Sequence, residues 1–272
     1  MSSQTEVSET LQSALSQGQI SVGAMQSIEE GLDDIAMAGC RGMDIEELDS
    51  EEATLVSVVI DASWSMLSHA DDVIKSYNEQ FLSPLKKSKN AKDILVEVWI
   101  FSGKGSPQEY CHLHQGWTPI PDCQELTTAD YNPDGGTPLF ACVHKAQTGM
   151  LTYGQTVRDN GTRTKCIMVV LSDGEENLSQ DLKVSGPMVR SISSSMLKQE
   201  VYVLSYIFFG NRSDGDKHAT EIGFPIQHRL TASLTDSEIR RVFKQVSTSV
   251  ISTSQTQVSS QSLSANAFFA GV

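Results

Sequence analysis

Short apolar runs alternate along this chain with segments whose apolar residues recur every three or four positions. The runs predict strands that are buried on both faces, over residues 54–60, 93–101, 165–173 and 200–210. The helical spacing predicts helices over residues 73–85, 139–151, 189–197 and 235–250. Strands that alternate with helices indicate the α/β fold class, with a doubly wound, mostly parallel central sheet flanked by helices.

The final predicted helix carries its own start signal. Thr235 and Glu238 match a capping box, and the apolar residues that follow form one stripe. Residues 102–138 are rich in Gly, Pro and Asp, so we expect mostly loop there, with room for a short strand at "CHLHQGW".

Composition divides the chain into three parts. Residues 1–52 form an acidic N-terminal arm, in which we expect 1–21 to be mobile and Met25, Ile28, Leu32 and Ile35 to mark one short helix. Residues 53–251 hold the main domain. Residues 252–272 are a Ser/Gln-rich tail that we expect to be disordered, although its adjacent phenylalanines, Phe268 and Phe269, suggest docking into a partner's groove as an alternative.

Charge is concentrated in the N-terminal arm. Residues 1–52 contain twelve acidic residues and one arginine, so they carry −11 of the formal net charge of −14. Such a segment repels nucleic acid and anionic membrane surfaces, and we therefore expect neither as a partner. The arm either keeps the protein soluble or attracts a basic protein. Five cysteines without paired spacing, and no predicted leader or membrane span, favour a cytoplasmic location.

Two of the predicted strands end in an aspartate, Asp61 and Asp173. Carboxylates are costly to bury, and two that meet at one edge of a sheet repel each other unless a cation lies between them. The segments "DASWS" and "DGGTPL" add the hydroxyls of Ser63, Ser65 and Thr137. Because hard oxygen ligands suit Mg²⁺ or Mn²⁺ rather than zinc or copper, these five residues predict a divalent metal site.

The segments "DASWS", "GGTPL" and "LSDGEEN", in this order and at these separations, resemble the metal-ion-dependent adhesion site of the von Willebrand factor A domain. The resemblance covers residues 54 to 251, and the ending "FKQVSTSVISTSQ" is similar to bacterial A domains of the tellurium-resistance-associated type. It implies a Rossmann-like fold. It also implies that Ser63, Ser65 and Thr137 touch the metal through their hydroxyls, while Asp61 and Asp173 bind it directly or through water.

In that family the ion's free position accepts an Asp or Glu carboxylate from a partner protein. The resemblance therefore implies a non-enzymatic scaffold or adaptor. Bacterial relatives are often encoded beside kinases, phosphatases or AAA+ ATPases in stress-response or phage-defence systems, which makes such proteins the expected partners. Trp64 departs from the pattern, because the family usually has a small residue there. It either lines the rim of the site and contacts the partner, or packs under a neighbouring loop.

Other interpretations remain open. One is a structural subunit of a larger phage or cellular assembly, with the arm and the tail as docking elements. A metal-dependent hydrolase ranks below it, because the second acid of a D-x-D phosphotransferase is replaced by Ser63 and the common hydrolase motifs are missing. Cys111, His112, His114 and Cys123 lie close together in sequence, but their spacing fits no common zinc pattern.

Overall fold

A six-stranded sheet forms the centre of the computed structural model, which describes residues 4–48, 50–256 and 268–269. The strands are β1 (Glu52–Asp61), β2 (Ile94–Phe101), β3 (Cys111–Pro119), β4 (Arg163–Ser172), β5 (Tyr202–Phe209) and β6 (Arg229–Ala232). They lie in the order β3-β2-β1-β4-β5-β6, and all neighbours run parallel except β3, which is antiparallel to β2. The predicted α/β class and mostly parallel sheet are confirmed.

Helices cover both faces of the sheet. The helices are α1 (Gln4–Ser16), α2 (Val22–Glu30), α3 (Asp34–Gly39), α4 (Ala70–Ser76), α5 (Ser83–Lys86), α6 (Leu139–Asp159), α7 (Gly186–Met196), α8 (Arg212–Glu221) and α9 (Asp236–Gln255). A π-helical turn, Tyr77–Leu82, joins α4 to α5. None of the helices in these described ranges is long and apolar enough to cross a membrane.

The central strands are apolar on both sides because each face is covered by helices. Along β1, Leu55 and Val59 point into the core beneath α6 and α7, whereas Val56, Val58 and Ile60 point into the core beneath α4 and α9. All five side chains are fully buried. The continuous β-branched run that predicted this strand therefore reflects burial on two sides.

The strand order reverses at β1. The chain leaves β1 through α4 and α5 to reach β2 on one side, while β4 adds on the other side. In open parallel sheets a crevice forms beyond the carboxyl ends of the strands at such a reversal. The fold thus creates a natural binding position at the ends of β1 and β4.

The N-terminal arm differs from the expectation. Residues 4–16 form α1, whose side chains Val7, Leu11 and Ala14 are buried, so the predicted mobility of this stretch is wrong. The single helix expected around residues 25–35 is two helices, because α2 ends at Gly31 and Asp33 begins α3 as its N-cap. All three helices pack on the α6 and α7 side of the sheet.

The C-terminal segment also deviates. Helix α9 continues through Gln255, so the first residues of the expected tail are helical. The backbone carbonyl of Phe268 accepts a hydrogen bond from Ser249 Oγ (2.7 Å), and the Phe268 ring packs into the core beneath α9. That ring therefore contacts its own chain. The remaining predictions for residues 257–267 and 270–272 lie outside the described residues.

Helix α9 begins where its start signal predicted, but the capping box is not formed. Thr235 is the N-cap residue, yet its side chain makes no capping hydrogen bond. Glu238 instead accepts two hydrogen bonds from Arg241, at 2.9 and 2.7 Å. Glu238 thus forms an ion pair with Arg241 within the helix instead of a capping hydrogen bond to Thr235.

Candidate metal centre

The loops that follow β1 and β4 meet at the reversal of strand order. Asp61 is the last residue of β1, and Asp173 follows directly after β4. Ile60 pairs with Leu171 in the parallel register of these adjacent strands, so the two aspartates leave the sheet side by side. Both aspartates thus stand at the carboxyl ends of adjacent strands, as the sequence predicted.

Hydrogen bonds connect the "DASWS" segment to Asp173. The backbone N–H of Ser63 donates to Asp61 Oδ1 at 2.8 Å, and the hydroxyl oxygens of Ser63 and Ser65 are 3.1 Å apart. The hydroxyl of Ser65 then donates to Asp173 Oδ1 at 2.7 Å. Four of the five residues named from the sequence therefore lie in one connected group of oxygen atoms.

Thr137 approaches the same group across a glycine. A Cβ atom placed on Gly174 would lie 2.8 Å from Thr137 Oγ1 and 3.6 Å from Asp61 Oδ2. Only a residue without a side chain leaves room for this approach. The structure thus places the Thr137 hydroxyl beside the Gly174 backbone and near the carboxylate of Asp61.

Asp61 is fully buried, and burial raises the pKa of its carboxyl group to about 6, against an ordinary value of 3.8. Hydrogen bonds from Ser172 and Ser63 act in the opposite direction, while the neighbouring charge of Asp173 adds to the rise. Burial also raises the pKa of Asp173. Both shifts have the same physical cause: removal of these carboxylates from water outweighs the hydrogen bonds that they accept and, at Asp173, the nearby charge of His69.

Two residues that the sequence analysis did not identify hold Asp61 in place. The hydroxyl of Ser172 donates to Asp61 Oδ2 at 2.5 Å, and the phenol of Tyr131 donates to the backbone carbonyl of Asp61 at 2.6 Å. Both side chains are buried. Ser172 lies next to Asp173 in the motif "LSDGEEN", which was the available signal, but a serine inside a buried strand is not by itself distinctive.

Two glycine-containing loops interlock beside the site. The N–H of Gly103, after β2, donates to the carbonyl of Gly136 at 2.7 Å, and a Cβ on Gly103 would lie only 2.3 Å from the Gly136 nitrogen. Gly135 has a φ of +67° and its carbonyl accepts from the Trp64 N–H at 2.9 Å. The glycines of "DGGTPL" therefore fix the loop that carries Thr137 against the loop that carries Ser63 and Ser65.

The end of the "LSDGEEN" motif positions Thr137 and the start of α6. Asn177 Oδ1 accepts from the N–H of Thr137 at 2.8 Å. One residue earlier, Glu176 accepts from the N–H of Phe140 at 2.7 Å, in the first turn of α6, and from Ser179 Oγ at 2.6 Å. Neither Glu176 nor Asn177 was predicted to have a role from the sequence, although both stand in this motif. The structure identifies them as residues that orient the loop of Thr137.

The site is open on one side. Asp61, Ser63 and Thr137 are buried, Asp173 is partly buried, and Ser65 is exposed. The Trp64 side chain is 64% exposed, so the alternative that it packs under a neighbouring loop is wrong. Trp64 stands between Ser63 and Ser65 in the chain, and its side chain is exposed to solvent.

The donor set fits a hard divalent cation. Two carboxylates and three hydroxyls supply only oxygen atoms, and the hydrogen bonds of Ser63 and Ser65 connect the buried Asp61 to the partly buried Asp173. The cysteine and histidine group near β3 does not form a comparable site. The thiol of Cys123 points at the carbonyls of Thr118 and Pro119, at 3.5 and 3.4 Å, and His114 faces Asp130 at 3.5 Å.

Comparison with known proteins reveals the fold but no close relative. No protein-family model matches the sequence, and no curated protein is significantly similar to it. The structure resembles the pilus adhesin SpaC from Lactobacillus rhamnosus GG in its open conformation, with a TM-score of 0.55, 11% identity, and coverage of 75% of this chain. The match spans only 30% of the SpaC chain.

A second similar structure is the vWF domain of the type V pili tip protein Mfa5 from Porphyromonas gingivalis, with a TM-score of 0.50 and 12% identity. The match covers 76% of this chain and 97% of that domain. At sequence identities this low, structural similarity supports a shared fold but not a shared function. The mostly parallel six-stranded sheet, covered by helices on both faces, agrees with this similarity over a whole domain. The chain has the fold of a von Willebrand factor A domain.

Proposed function

We propose that this protein is a non-enzymatic, metal-dependent protein-interaction module. Asp61, Ser63, Ser65, Thr137 and Asp173 would hold one Mg²⁺ or Mn²⁺ ion, and an Asp or Glu carboxylate of a partner protein would bind at the position that the protein leaves open. The chain would act as a scaffold or adaptor in this way.

The observation that carries the proposal is the convergence of these five side chains, from three separate loops, at the carboxyl edge of β1 and β4. Hydrogen bonds of 2.7 to 3.1 Å link Asp61, Ser63, Ser65 and Asp173, and Thr137 Oγ1 faces the Gly174 backbone beside Asp61. Ordinary turn chemistry explains any one of these residues. It does not explain why two carboxylates with raised pKa values are placed together where the strand order reverses.

A bound Mg²⁺ or Mn²⁺ would offset the negative charge of Asp61 and Asp173. Hydroxyl oxygens are uncharged ligands, so an ion held largely by Ser63, Ser65 and Thr137 retains attraction for a further carboxylate. The open side next to Ser65 gives that carboxylate a path. The exposed ring of Trp64 supplies an apolar contact beside it.

The described part of the N-terminal arm, and Phe268 of the tail, are engaged within the chain rather than free to dock elsewhere. Helices α1 to α3 pack on the α6 and α7 side, and the ring of Phe268 is buried beneath α9. This packing favours the interaction module over the assembly subunit. The similarity to bacterial tellurium-resistance-associated domains, the stress-response or phage-defence setting, the cytoplasmic location and a kinase, phosphatase or AAA+ ATPase partner remain predictions.

The test is partner capture by the immobilised full-length chain from an extract of its native cells. We expect partner proteins to be retained in Mg²⁺, released by EDTA, and absent with Thr137→Ala. Thr127→Ala is the matched control, because Thr127 lies in the same loop region and its hydroxyl bonds to Asp130. Capture that survives both EDTA and Thr137→Ala would contradict the proposal. For each captured partner, changing its contacting Asp or Glu to the amide should abolish retention.

A further inference from the structure

A second group of metal-binding side chains lies outside the candidate metal centre. His69, Asp72 and Asp236 each offer one ligand atom, and these three atoms all lie within 4.8 Å of one another. They come from three elements: the 3-10 turn Trp64–His69, helix α4, and the first turn of α9. Residues 167 positions apart in sequence are thus brought to one point by the packing of α4 against α9.

The His69 Nδ1 atom makes no hydrogen bond and faces Asp72 at ion-pair distance. His69 Nδ1 is shielded from solvent and has no hydrogen-bond partner, and it lies 3.7 Å from Asp72 Oδ2, beyond hydrogen-bonding range. An imidazole nitrogen that is removed from water without a partner is unfavourable. A separation of 3.7 Å between a nitrogen and a carboxylate oxygen suits two ligands that share an ion better than a direct hydrogen bond.

The two aspartates face each other as well as the imidazole. Partial burial, and after it the nearby Asp236 carboxylate, raise the pKa of Asp72, as expected when two carboxylates lie close enough to repel each other. Each acid alone has an ordinary explanation, since carboxylates in the first turn of a helix are stabilised by the helix dipole. Asp71 satisfies that role in α4 equally well, and the dipole does not require Asp72 to converge with Asp236 and His69.

We propose that His69, Asp72 and Asp236 bind a second divalent cation, and that this ion is Zn²⁺. Zinc accepts both imidazole nitrogen and carboxylate oxygen as ligands, and its open sites have three protein ligands with water in the fourth position. The all-oxygen centre formed by Asp61 and its neighbours differs from this group because it has no nitrogen ligand. The two sites therefore differ in the metal they prefer, and the second does not depend on the function proposed for the first.

An ion at this second site connects the candidate metal centre to the last helix. His69 follows Ser65 by four residues in the same 3-10 turn, and Asp236 begins α9. A shared ion would cross-link these elements in the folded protein. Because zinc would bind only the native state, it should raise the midpoint of thermal unfolding.

The experiment measures zinc affinity by competition with a chromophoric chelator. All proteins carry Thr137→Ala, so that the first centre is impaired and does not obscure the second. His69→Ala and Asp236→Asn are compared with Asp71→Asn, which removes the same charge from an exposed acid in the first turn of α4. Far-UV circular dichroism checks that each variant is folded, and the thermal midpoint is recorded with and without zinc.

We expect His69→Ala and Asp236→Asn to weaken zinc binding at least about tenfold and to abolish the zinc-dependent rise in the thermal midpoint. Asp71→Asn should change neither quantity. Equal zinc affinities in Asp236→Asn and Asp71→Asn would overturn the proposal. So would a dissociation constant weaker than about 1 mM before either substitution, because that affinity is typical of scattered surface acids.

Discussion

Thr137 and Asn177 are joined by two hydrogen bonds between loops 40 residues apart. The N–H of Thr137 donates to Asn177 Oδ1 at 2.8 Å, and the N–H of Asn177 donates to the carbonyl of Thr137 at 3.1 Å. The pair holds the threonine hydroxyl beside Gly174 and Asp61. The position of one proposed metal ligand therefore depends on a residue that does not touch the metal.

Asn177→Ala should weaken metal binding without unfolding the protein. The substitution removes the acceptor for the Thr137 N–H, and loss of a group that orients a ligand typically lowers metal affinity about 10- to 100-fold. Titration with Mn²⁺, followed by electron paramagnetic resonance, measures the change. Gln180→Ala is the control, since Gln180 is exposed in the same segment. Identical affinities for the two variants would show that Asn177 does not position Thr137.

Two glycines in α6 should respond to alanine with opposite signs. A Cβ on Gly149 would lie 2.6 Å from the backbone oxygen of Gly39 in α3, so Gly149→Ala forces two helices apart. We expect it to lower the free energy of unfolding by about 1–3 kcal/mol. A Cβ on Gly154 would meet its nearest atom at 3.4 Å, and alanine is the better helix former, so Gly154→Ala should stabilise by up to about 1 kcal/mol.

Urea unfolding of both glycine variants checks this pair of expectations. Both substitutions replace glycine by alanine within α6, so the gain in helix propensity is the same for both. The contact with α3 therefore decides whether the free energy of unfolding rises or falls. A neutral or stabilising Gly149→Ala would mean that α3 does not pack against α6 at this distance.

Glu97 should make the stability of the protein depend on pH. This side chain is fully buried in β2, and Ser57 Oγ donates to its Oε2 at 2.8 Å. Burial raises the pKa of Glu97 well above its ordinary value of 4.5, so the folded protein binds a proton that the unfolded chain releases. The stability contributed by that proton is present below pH 4.5 and is lost as the pH rises through the raised pKa.

The measurement is the free energy of unfolding of wild type and Glu97→Gln between pH 4.5 and 8. The variant should gain on the wild type as the pH rises, by at most about 1.4 kcal/mol per pH unit, because its amide has no charge to desolvate. Glu79 is exposed in the π-helical turn Tyr77–Leu82, so the free energy of unfolding of Glu79→Gln should change with pH as that of the wild type does. A difference that stays constant across this range would argue against a raised pKa.

The central strands, and the motifs that carry the five candidate residues, could be anticipated because their signals are local. β1 is a continuous apolar run whose last residue is Asp61, and the serines and Thr137 stand in short motifs with fixed spacing. Register and strand order then bring their ends together by general rules of parallel sheets.

Features that depend on tertiary contacts were missed. Helix α1 has Val7, Leu11 and Ala14 at helical spacing, but its Ser/Gln/Glu-rich composition indicated disorder, and its order comes from packing on α6. Helix α8 buries only Gly215, His218 and Ala219, so it lacks the apolar stripe that predicts a helix. The bond between Ser57 and Glu97 joins neighbouring strands and leaves no trace in either segment alone.

The central claim is that Thr137 and its four neighbours hold one divalent ion, and counting bound ions tests it most directly. Equilibrium titration with Mn²⁺ under electron paramagnetic resonance should show that Thr137→Ala loses one site that wild type and Thr127→Ala both retain. Equal numbers of sites with equal affinities in all three proteins would contradict the claim.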